Sequence, residues 1–506
     1  MSALDTTVVI PTLGRPSLQG LLQTLAGSRG PRPQAIVVVD DRPAGAGVEP
    51  LDLGLEVMVE VIVLRSAGRG PAAARNLGWR AARTAWVSFL DDDVLIGPDW
   101  LQRLAADLAE APGDTVGSQG RVDVPLPAGR RPTDWERVTA GLATSQWITA
   151  DMTYRRDALS MVGGFDERFR RAFREDADLA LRVAARGGRL AHGRRYVAHP
   201  ARPVDDWVSV HLQRGNADDV LMRRLHGSRW RELAAAPRGR RARHLAITAA
   251  AIGAVACAAA ARCRRGLAGR AAVAAAGLWA AGTAEFAAAR IAPGPRDADE
   301  VRRMLLTSVV IPPAATWHTL AGWWRHRGAG PWRGLPDLVL FDRDGTLVRD
   351  VPYNGEPARL EPLPRVRAAL AELRGCGVRT GVVTNQSGIA RGLLTPGQVD
   401  AVNAELDRLL GAFDVWQLCP HGPGDGCACR KPAPGLVKQA CAAVGVDPVR
   451  CVVVGDVGSD VAAAEAAGAV GFLVPTAQTS PDEVRAARRV APTLPAAIAD
   501  ILGGRW

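Results

Sequence analysis

Short apolar runs that each end on a polar or acidic residue recur through the first hundred residues of the chain. Runs of about four to eight apolar residues predict buried strands, and the segment Leu18–Leu25 between two of them has helical spacing. Strands that alternate with helical segments indicate a mainly parallel, layered α/β sheet. The four predicted strands are Thr7–Ile10, Ala35–Val39, Val57–Leu64 and Trp86–Leu90.

The same pattern returns in the last third of the chain. The apolar run that starts at Leu338 stops on two aspartates, Asp342 and Asp344, which are followed by a Gly-Thr pair. Two further runs, Val378–Thr384 and Cys451–Val454, also end on polar residues. Because α/β sheets place their chemistry at the carboxyl ends of parallel strands, we expect these polar residues to share one site.

The strand-end residues of this second sheet suit phosphate-ester chemistry. One carboxylate of the Asp342 and Asp344 pair can attack a phosphorus atom, and the other can protonate the leaving oxygen. A Mg²⁺ ion between them would offset their repulsion from the phosphate. Taken alone, the pair also fits two solvated acids at a strand end. Further residues that can contact phosphate or metal are Thr384, Asn385, Lys431, Asp456 and Asp460.

This region contains, in order, the motifs DRDGTL, TNQSGIARG, CPH, CxCRKP and GD. Across roughly residues 335–475 they resemble the haloacid dehalogenase (HAD) phosphohydrolases, and more closely the D-glycero-D-manno-heptose 1,7-bisphosphate phosphatases and the related histidinol phosphatases. The resemblance implies a Rossmann-like parallel sheet and an aspartyl-phosphate mechanism, with Asp342 as nucleophile and Asp344 as acid/base. It implies Mg²⁺ at Asp342, Asp344 and Asp456, and a phosphosugar held by Thr384, Asn385, Arg430 and Lys431. A histidinol phosphatase is the alternative.

Three cysteines and a histidine cluster within the same region. Cys419, His421, Cys427 and Cys429 lie within eleven residues, and glycines between them let the loop fold back. Three thiolates and one imidazole form a closed tetrahedral Zn²⁺ set. The spacing is tighter than in a zinc finger and resembles the structural zinc loop of the heptose-bisphosphate phosphatases. We expect a structural Zn²⁺ that holds the loop beside Lys431, with a disulfide or idle cysteines as the alternative.

The first part of the chain contains another ordered set of motifs: VVIPTLGRP, VVVDD, AARNLG, FLDDDV, GGFDERF and REDADLALR. Across roughly residues 5–220 these resemble the family 2 glycosyltransferases of the GT-A fold. In that family the early acid, here Asp40 or Asp41, contacts the nucleotide. The later pair, here Asp91 and Asp93, holds Mg²⁺ or Mn²⁺ on the diphosphate of the sugar nucleotide. A hard cation with oxygen ligands suits that task.

The same resemblance assigns the remaining residues of the transferase site. Asp176, in the Glu175–Asp176 pair, is the implied general base that deprotonates the acceptor hydroxyl. Acids at the first turn of a helix are also a common structural preference. Arg214 lies where many members have a donor-binding arginine, although the local sequence departs from their QxxRW form. The other implied substrate contacts are Pro11, Arg75, Asn76 and Glu175.

Length and charge narrow the partners of the protein. The 506 residues fit two to four domains, and the formal net charge of +11 suits anionic lipid or phosphorylated substrates. The sequence lacks a recognisable nucleic-acid-binding motif, so we expect no nucleic-acid partner. The N-terminus lacks a basic and apolar leader pattern, so we expect the catalytic parts in the cytoplasm.

Residues 237–331 match neither family. Leu245–Ala261 is an uncharged Ala-rich stretch of 17 residues, Ala271–Ala289 is apolar apart from Glu285, and arginines flank both. Each stretch is near the lower limit for a membrane span, so a membrane-associated hairpin and a pair of soluble helices both fit. The tryptophans of Thr316–Arg327 suit contact with lipid headgroups and favour the membrane.

The sequence therefore predicts a bifunctional α/β enzyme in three segments. Residues 1–236 form a GT-A transferase domain, 237–331 an Ala/Arg-rich helical linker, and 332–506 a HAD phosphatase domain. The expected partners are a nucleotide-sugar donor, a phosphosugar, a glycan or lipid-linked acceptor, and the inner face of the membrane. A membrane-linked scaffold that binds sugar nucleotide without turnover is the alternative, and the complete acid and lysine sets disfavour it.

Overall fold

The computed structural model describes residues 3–43, 49–53, 59–261 and 266–506. It divides into two compact units, Met1–Trp332 and Arg333–Trp506. The first unit contains the predicted transferase segment together with the helical segment that follows it. The second unit contains the predicted phosphatase segment.

The strands of the first unit are β1 (Leu4–Thr12), β2 (Pro33–Asp40), β3 (Glu60–Arg65), β4 (Trp86–Leu90), β5 (Leu95–Ile96), β6 (Thr115–Asp123), β7 (Asp151–Arg155) and β8 (Arg189–Ala198). They form one mixed sheet in the order β3-β2-β1-β4-β7-β6-β8-β5. The first four strands pair in parallel, whereas β7 runs antiparallel to both β4 and β6. The predicted third strand began at Val57, and its first two residues lie outside the described residues.

The helices of the first unit are α1 (Ser17–Gly27), α2 (Pro71–Ala81), α3 (Trp100–Ala109), α4 (Asp134–Ala140), α5 (Arg156–Val162), α6 (Glu175–Ala185), α7 (Val208–His211), α8 (Gly215–His226), α9 (Trp230–Leu233), α10 (Arg241–Ala261), α11 (Leu267–Ile291) and α12 (Ala298–Arg325). Helices cover both faces of the sheet. Val8 packs in one apolar core with α1 and α3, and its neighbour Val9 packs in the other with α2. Successive strand residues point to opposite faces, which explains why these strands read as continuous apolar runs.

The helical segment after α9 packs on the first unit. α10 and α11 lie against each other, and both contact α12, which in turn packs on α7 and α8. The basic loop at 262–265 between α10 and α11 lies outside the described residues.

The second unit has the strands β9 (Leu338–Phe341), β10 (Arg379–Asn385), β11 (Val415–Cys419), β12 (Cys451–Gly455) and β13 (Val470–Leu473), with the helices α13 (Val366–Gly375), α14 (Pro396–Leu410), α15 (Gly435–Ala443), α16 (Gly458–Ala467), α17 (Pro481–Ala486) and α18 (Leu494–Leu502). The sheet is wholly parallel, in the order β11-β10-β9-β12-β13. The α/β class with two separate sheets is therefore confirmed. In this order β9 lies between the other two strands whose ends were predicted to carry chemistry.

Candidate functional site

The acids of the second unit meet at the carboxyl end of its parallel sheet. The backbone N–H of Asp342 extends the β9–β12 pairing by donating to Val454 O at 2.9 Å. Asp456 directly follows β12, and Asp460 lies in the first turn of α16. Neighbouring parallel strands thereby deliver these acids to one edge of the sheet.

Lys431 lies among these acids and is almost completely buried. Its Nζ is 2.5 Å from Asp342 Oδ1 and 2.6 Å from Asp460 Oδ1, and it donates to Val383 O at 2.9 Å. Burial alone would lower the pKa of Lys431, but the two carboxylates outweigh that effect and raise it. The site therefore contains a fixed positive charge next to the predicted nucleophile.

Two acids of this cluster, Asp342 and Asp456, hold their protons more tightly than free carboxyls. Burial raises the pKa of Asp342 to about 8, with Lys431 opposing the rise and Asp460 and Asp344 adding to it. Burial also raises the pKa of Asp456 to about 6, and the nearby Asp460 charge contributes. A bound cation would favour the ionised form of each acid.

Three of the carboxylates could hold a metal ion. Asp342, Asp456 and Asp460 each offer an oxygen within 4.8 Å of the others. Two glycines allow this approach, because a Cβ at Gly345 would lie 2.3 Å from Asp456 Oδ2, and one at Gly455 2.1 Å from Asp460 Oδ2. An all-carboxylate set fits a hard cation such as Mg²⁺.

Asp344 lies outside this group of three, and protein donors hold its side chain. Arg343 Nη2 donates to Asp344 Oδ2 at 2.9 Å, and Gln386 Nε2 donates to the same oxygen at 2.9 Å. Gln386 also contacts Thr384 Oγ1 at 2.9 Å, while the buried Arg343 reaches Asn403 at 3.0 Å. The sequence analysis missed Arg343 and Gln386, although both lie inside the quoted motifs.

Two of the predicted substrate contacts brace the lysine and the zinc loop. Asn385 pairs with the backbone of Lys431, donating to its carbonyl at 3.2 Å and accepting from its N–H at 3.1 Å. Arg430 Nη1 donates to His421 O at 3.2 Å. In this arrangement Asn385 positions Lys431. Arg430, the residue before Lys431, connects this lysine to the loop of cysteines.

The four predicted zinc ligands come together. Cys429 Sγ lies 3.3 Å from His421 Nδ1, 3.3 Å from Cys419 Sγ and 3.5 Å from Cys427 Sγ. A tetrahedral ion with Zn–S bonds of about 2.3 Å requires S–S separations near 3.8 Å, so a small expansion would admit the ion. Burial raises the pKa of the Cys419 thiol to about 12. Burial also acts to raise the pKa of Cys427, but hydrogen bonds from the N–H of Arg430 and the neighbouring thiols outweigh it and lower this pKa to about 7. The donor set fits Zn²⁺.

The first unit contains a second group of metal-binding type. Asp91 and Asp93 follow β4, and His199 follows β8, and one donor atom of each lies within 4.8 Å of the others. His199 Nε2 is 3.4 Å from Asp93 Oδ1, and Arg202 Nε is 2.9 Å from Asp93 Oδ2. Burial and the adjacent Asp91 raise the pKa of Asp93. Two carboxylates and an imidazole fit Mg²⁺ or Mn²⁺. His199 was not predicted from the sequence, because it follows β8, a strand without a continuous apolar run.

Arg75 connects this metal group to the predicted base region. Its guanidinium, only 2% exposed, donates to Asp91 Oδ1 at 2.7 Å and to Glu175 Oε1 at 2.8 Å. Both acids are therefore held by one cation on α2. Burial offsets part of this effect, but the two carboxylates still raise the pKa of Arg75.

The Glu175–Asp176 pair begins α6. Burial and the neighbouring Asp176 charge raise the pKa of Glu175 to about 8, and Arg75 only partly opposes this. Burial also raises the pKa of Asp176. Among the described residues, Glu175 Oε2 has no hydrogen-bond partner, although it is buried. An orphaned buried oxygen beside a half-buried carboxylate is consistent with a place where a ligand hydroxyl binds.

The acids after β2 play different parts. Asp40 accepts from Arg42 Nε at 2.9 Å and Nη2 at 2.8 Å, and this contact lowers the pKa of Asp40. Asp41 accepts from Ser66 Oγ at 2.7 Å and from the N–H of Gly70 at 3.0 Å. Asp41 thus fixes the turn before α2, the helix that carries Arg75.

The remaining predicted contacts differ in exposure. Pro11 lies half-buried near the end of β1, and Arg214 is exposed just before α8. Asn76 is fully buried, and its amide bonds Phe165 and Glu167 as donor and Phe165 and Trp79 as acceptor. Its polar atoms are thus used inside the protein, so Asn76 lies behind the site rather than facing a ligand.

Comparison with known proteins identifies both halves. Residues 7–176 match the model of glycosyl transferase family 2, and residues 428–503 match a HAD-hydrolase-like model. A D-glycero-beta-D-manno-heptose-1,7-bisphosphate 7-phosphatase of Bordetella bronchiseptica is 38% identical over 144 residues, which are 28% of this chain and 80% of the relative. The enzyme of that name from Pseudomonas aeruginosa is 39% identical over 144 residues, 28% of this chain and 81% of the relative.

A solved structure is also similar to the second unit. The crystal structure of D,D-heptose 1,7-bisphosphate phosphatase from B. bronchiseptica, complexed with magnesium and phosphate, is 33% identical and covers 33% of this chain and 98% of that one, with a TM-score of 0.31. The family models and the curated relatives show that the chain combines a family 2 glycosyltransferase domain with a HAD phosphatase domain, and through the latter it belongs to the D,D-heptose 1,7-bisphosphate phosphatase family.

Proposed function

We propose that the protein transfers a sugar from a nucleotide-sugar donor to an acceptor hydroxyl, and separately hydrolyses a sugar phosphate of the heptose 1,7-bisphosphate type. The observation that carries the phosphatase is the buried cluster in which Lys431 bridges Asp342 and Asp460 beside Asp456. Three carboxylates against one ammonium leave an excess of negative charge, which a divalent cation would balance when the phosphate binds. The relatives named above supply the substrate class.

The phosphatase reaction assigns each acid one task. Asp342 attacks the phosphorus atom, the bond from phosphorus to the sugar oxygen breaks, and Asp344 gives that oxygen a proton. Asp344 then takes a proton from water, which attacks the aspartyl phosphate and releases inorganic phosphate. Lys431 stabilises charge on the phosphoryl oxygens. Mg²⁺ held by Asp342, Asp456 and Asp460 would neutralise further negative charge of the phosphate. Asp344, which the sequence also predicts as a ligand, would contribute to the same ion.

Arg343 and Gln386 support this assignment of Asp344. Both side chains donate hydrogen bonds to the carboxylate of Asp344, so this carboxylate is held in one orientation. Thr384, which Gln386 contacts, and Arg430 are the proposed contacts to the phosphosugar, and Asn385 acts through Lys431.

The transferase reaction uses the acids of the first unit. Asp176 removes the proton from the acceptor hydroxyl, whose oxygen then attacks the anomeric carbon of the donor as the bond to the nucleotide diphosphate breaks. Mg²⁺ or Mn²⁺ at Asp91, Asp93 and His199 would stabilise the departing diphosphate. Arg75 holds Asp91 and Glu175 in place for this step, and Asp40 or Asp41, Pro11 and Arg214 are the proposed donor contacts.

The Cys₃His loop holds a structural zinc ion in this proposal. Its thiols close a tetrahedron, which leaves the ion without the open position that catalysis would need. We place both activities in the cytoplasm at the inner face of the membrane. The proposed acceptor is a glycan or a lipid-linked sugar.

The two reactions fit one sequence of steps with a gap between them. A 7-phosphatase acting on a 1,7-bisphosphate leaves a sugar 1-phosphate, whereas the transferase requires a nucleotide-activated sugar. A nucleotidyl transfer must therefore convert the first product before the second reaction can use it. We infer that the fusion supplies two enzymes of one pathway in equal amounts.

The phosphatase is tested by phosphate release from a panel of phosphorylated sugars and histidinol phosphate. We expect D-glycero-D-manno-heptose 1,7-bisphosphate to give the highest kcat/KM, with Mg²⁺ required. Preference for histidinol phosphate would reassign the substrate, and release from none of the compounds would refute the activity.

The transferase is tested with Asp93→Ala and a panel of sugar nucleotides. Because even indirect supports of a metal site cost about 10- to 100-fold, loss of a direct ligand should lower turnover by about 100-fold or more. Asp123→Ala, on an exposed acid paired with Arg121, is the matched control. Full turnover by Asp93→Ala, or by the unmodified protein in chelator, would contradict the site.

A further inference from the structure

Two helices of the first unit are long and apolar enough to cross a membrane, by length and composition only. They are α10 and α11, and only 11% and 17% of their most apolar windows are buried. A core helix of a globular protein would pass the same length test but would be mostly buried. The low burial therefore separates α10 and α11 from core helices. Their exposed large apolar side chains are Leu245, Ile252, Val255, Leu267, Val273 and Leu278.

The exposure is not confined to one side of these helices. A helix that docks on another protein is expected to have one apolar stripe and an opposite charged face. Leu245–Ala261 contains no charged residue at all, and neither does Ala271–Ala284 on α11. α10 and α11 contact each other and α12, yet within these two uncharged stretches only Ile247 and Thr248 are buried. Hydrocarbon is the environment that can surround a helix pair in this way.

The charges lie at the two ends of the hairpin. Glu285, six residues before the end of α11, meets Arg243 at 2.9 Å and Arg240 at 3.2 Å near the start of α10. This carboxylate therefore belongs to the base of the hairpin rather than to its middle. At the other end of the hairpin, Arg270 lies in the first turn of α11. The uncharged shafts measure about 25 Å and 21 Å, which is shorter than a hydrocarbon core of about 30 Å. Arginine side chains can span part of the difference by reaching towards the headgroups.

α12 adds an apolar stripe next to the hairpin. Leu306, Val309, Trp317, Leu320 and Trp324 are exposed and recur at helical spacing along one face. The stripe ends among cations, because Arg327 lies over the ring of Trp324 at 5.0 Å. Tryptophan beside arginine at the end of an apolar face is typical of the membrane interface.

A buried ion pair holds these helices to the catalytic part of the first unit. Arg290 of α11 contacts Asp134 at 2.7 Å and Thr307 of α12 at 2.7 Å. Glu300 of α12 accepts from the backbone N–H of Asp134 at 2.8 Å. The hairpin is thus fixed to the transferase fold rather than tethered by a flexible linker.

We propose that α10, α11 and the exposed stripe of α12 form one docking surface whose occupant is an anionic lipid bilayer. The acyl chains cover the shafts and the stripe, and the headgroups meet the arginines at their ends. Net positive charge at these ends favours anionic lipid over zwitterionic lipid. This inference concerns a partner of the first unit and depends on neither catalytic assignment.

The test is flotation of the full chain with vesicles. Protein purified in mild detergent is mixed with vesicles of phosphatidylglycerol and phosphatidylcholine, the detergent is removed, and a density gradient is run with and without 0.5 M salt, on the order of five times the usual ionic strength. We expect the unmodified chain to float in both conditions. The variant Ile252→Asp/Val255→Asp should lose at least about 10-fold of its vesicle-bound fraction, because each charge in hydrocarbon is strongly disfavoured.

Two further variants keep the result interpretable. Met161→Asp/Leu126→Asp places the same charges on exposed apolar residues outside the three helices and should float like the unmodified chain. Val273→Asp/Leu278→Asp repeats the change on α11, and thermal unfolding followed by circular dichroism shows whether the first unit of each variant is folded. Each substituted residue is exposed, so folding in water should tolerate the charges.

Four outcomes would overturn the proposal. The unmodified chain could remain at the bottom of the gradient, or the α10 and α11 variants could float as well as it does. Release of the unmodified chain by salt would reduce the contact to surface electrostatics. The unmodified chain could also form an oligomer that binds no vesicles and that the aspartate variants convert to a monomer. The surface would then be an interface between copies of the chain.

Discussion

The acid clusters of the two units balance their negative charge in different ways. In the second unit a single ammonium, Lys431, lies between Asp342 and Asp460. In the first unit the buried guanidinium of Arg75, on α2, joins two acids from distant segments, Asp91 and Glu175. One cluster is therefore assembled from neighbouring ends of parallel strands, and the other from segments that only the fold brings together.

This difference changes what a single substitution should do. Removing a group from the strand-end cluster should stop the chemistry and leave the sheet intact, because backbone pairing positions the acids. Removing Arg75 should damage the fold itself, because the guanidinium is buried between two carboxylates. Four predictions test the contrast, in order of decreasing effect.

The largest expected effect is that of Asp342→Asn on phosphate release. Loss of a nucleophile that acts within a catalytic unit lowers kcat by on the order of 10⁴-fold or more, while the amide keeps the size of the side chain. Phosphate release from the preferred sugar phosphate is the measurement. Asp337→Asn, on an exposed acid paired with Arg450, should retain full activity. Substantial release by Asp342→Asn would remove this residue from the mechanism.

Arg75→Met should destabilise the first unit by about 3–5 kcal/mol, because it leaves the buried Glu175 and the half-buried Asp91 without their counter-ion. Thermal unfolding followed by circular dichroism, with phosphatase activity as a separate reading of the second unit, measures the effect. Arg121→Met, at an exposed pair, should leave the melting temperature almost unchanged. Equal stability of the two variants would show that Arg75 does not hold the cluster together.

Zinc removal should loosen the loop beside Lys431 without unfolding the sheet of the second unit. We expect one Zn²⁺ per chain by metal analysis, and loss of the ion in Cys429→Ser should cost about 2 kcal/mol, a fall in melting temperature of roughly 4–8 °C. Cys376→Ser, at a buried cysteine outside the cluster, is the matched control for metal content. Zinc-free protein with unchanged melting and activity would argue against a structural ion.

The smallest expected effect is that of His199→Gln on the transferase. The two carboxylates remain, so we expect the metal concentration for half-maximal turnover to rise by about 10-fold, with little change in turnover at saturating metal. Titration of Mg²⁺ or Mn²⁺ during sugar-nucleotide turnover measures this. Substitution of the exposed His211 in the same way should leave the titration unchanged. An unaltered titration for His199→Gln would exclude His199 from the metal group.

Residues within the quoted motifs were the easiest to predict. The strand ends at Asp342 and Asp456 follow from apolar runs, and the family of both halves follows from motif order. Arg343 and Gln386 lie inside those motifs, yet their task of holding Asp344 depends on where the side chains turn. The antiparallel strand β7 and the strand β8 were not predicted, because polar residues interrupt their sequences and leave no continuous apolar run.

The sequence by itself determined the class of each unit, the order of its catalytic motifs and the compact set of cysteines. These properties rest on residue type and near-neighbour spacing, which one chain reveals directly. Tertiary structure decided which acids share a cation, how Lys431 is placed between Asp342 and Asp460, and that His199 joins Asp93. It also placed Glu285 at the base of the α10–α11 hairpin. Burial and long-range pairing set these charge relations, and neither is written in local spacing.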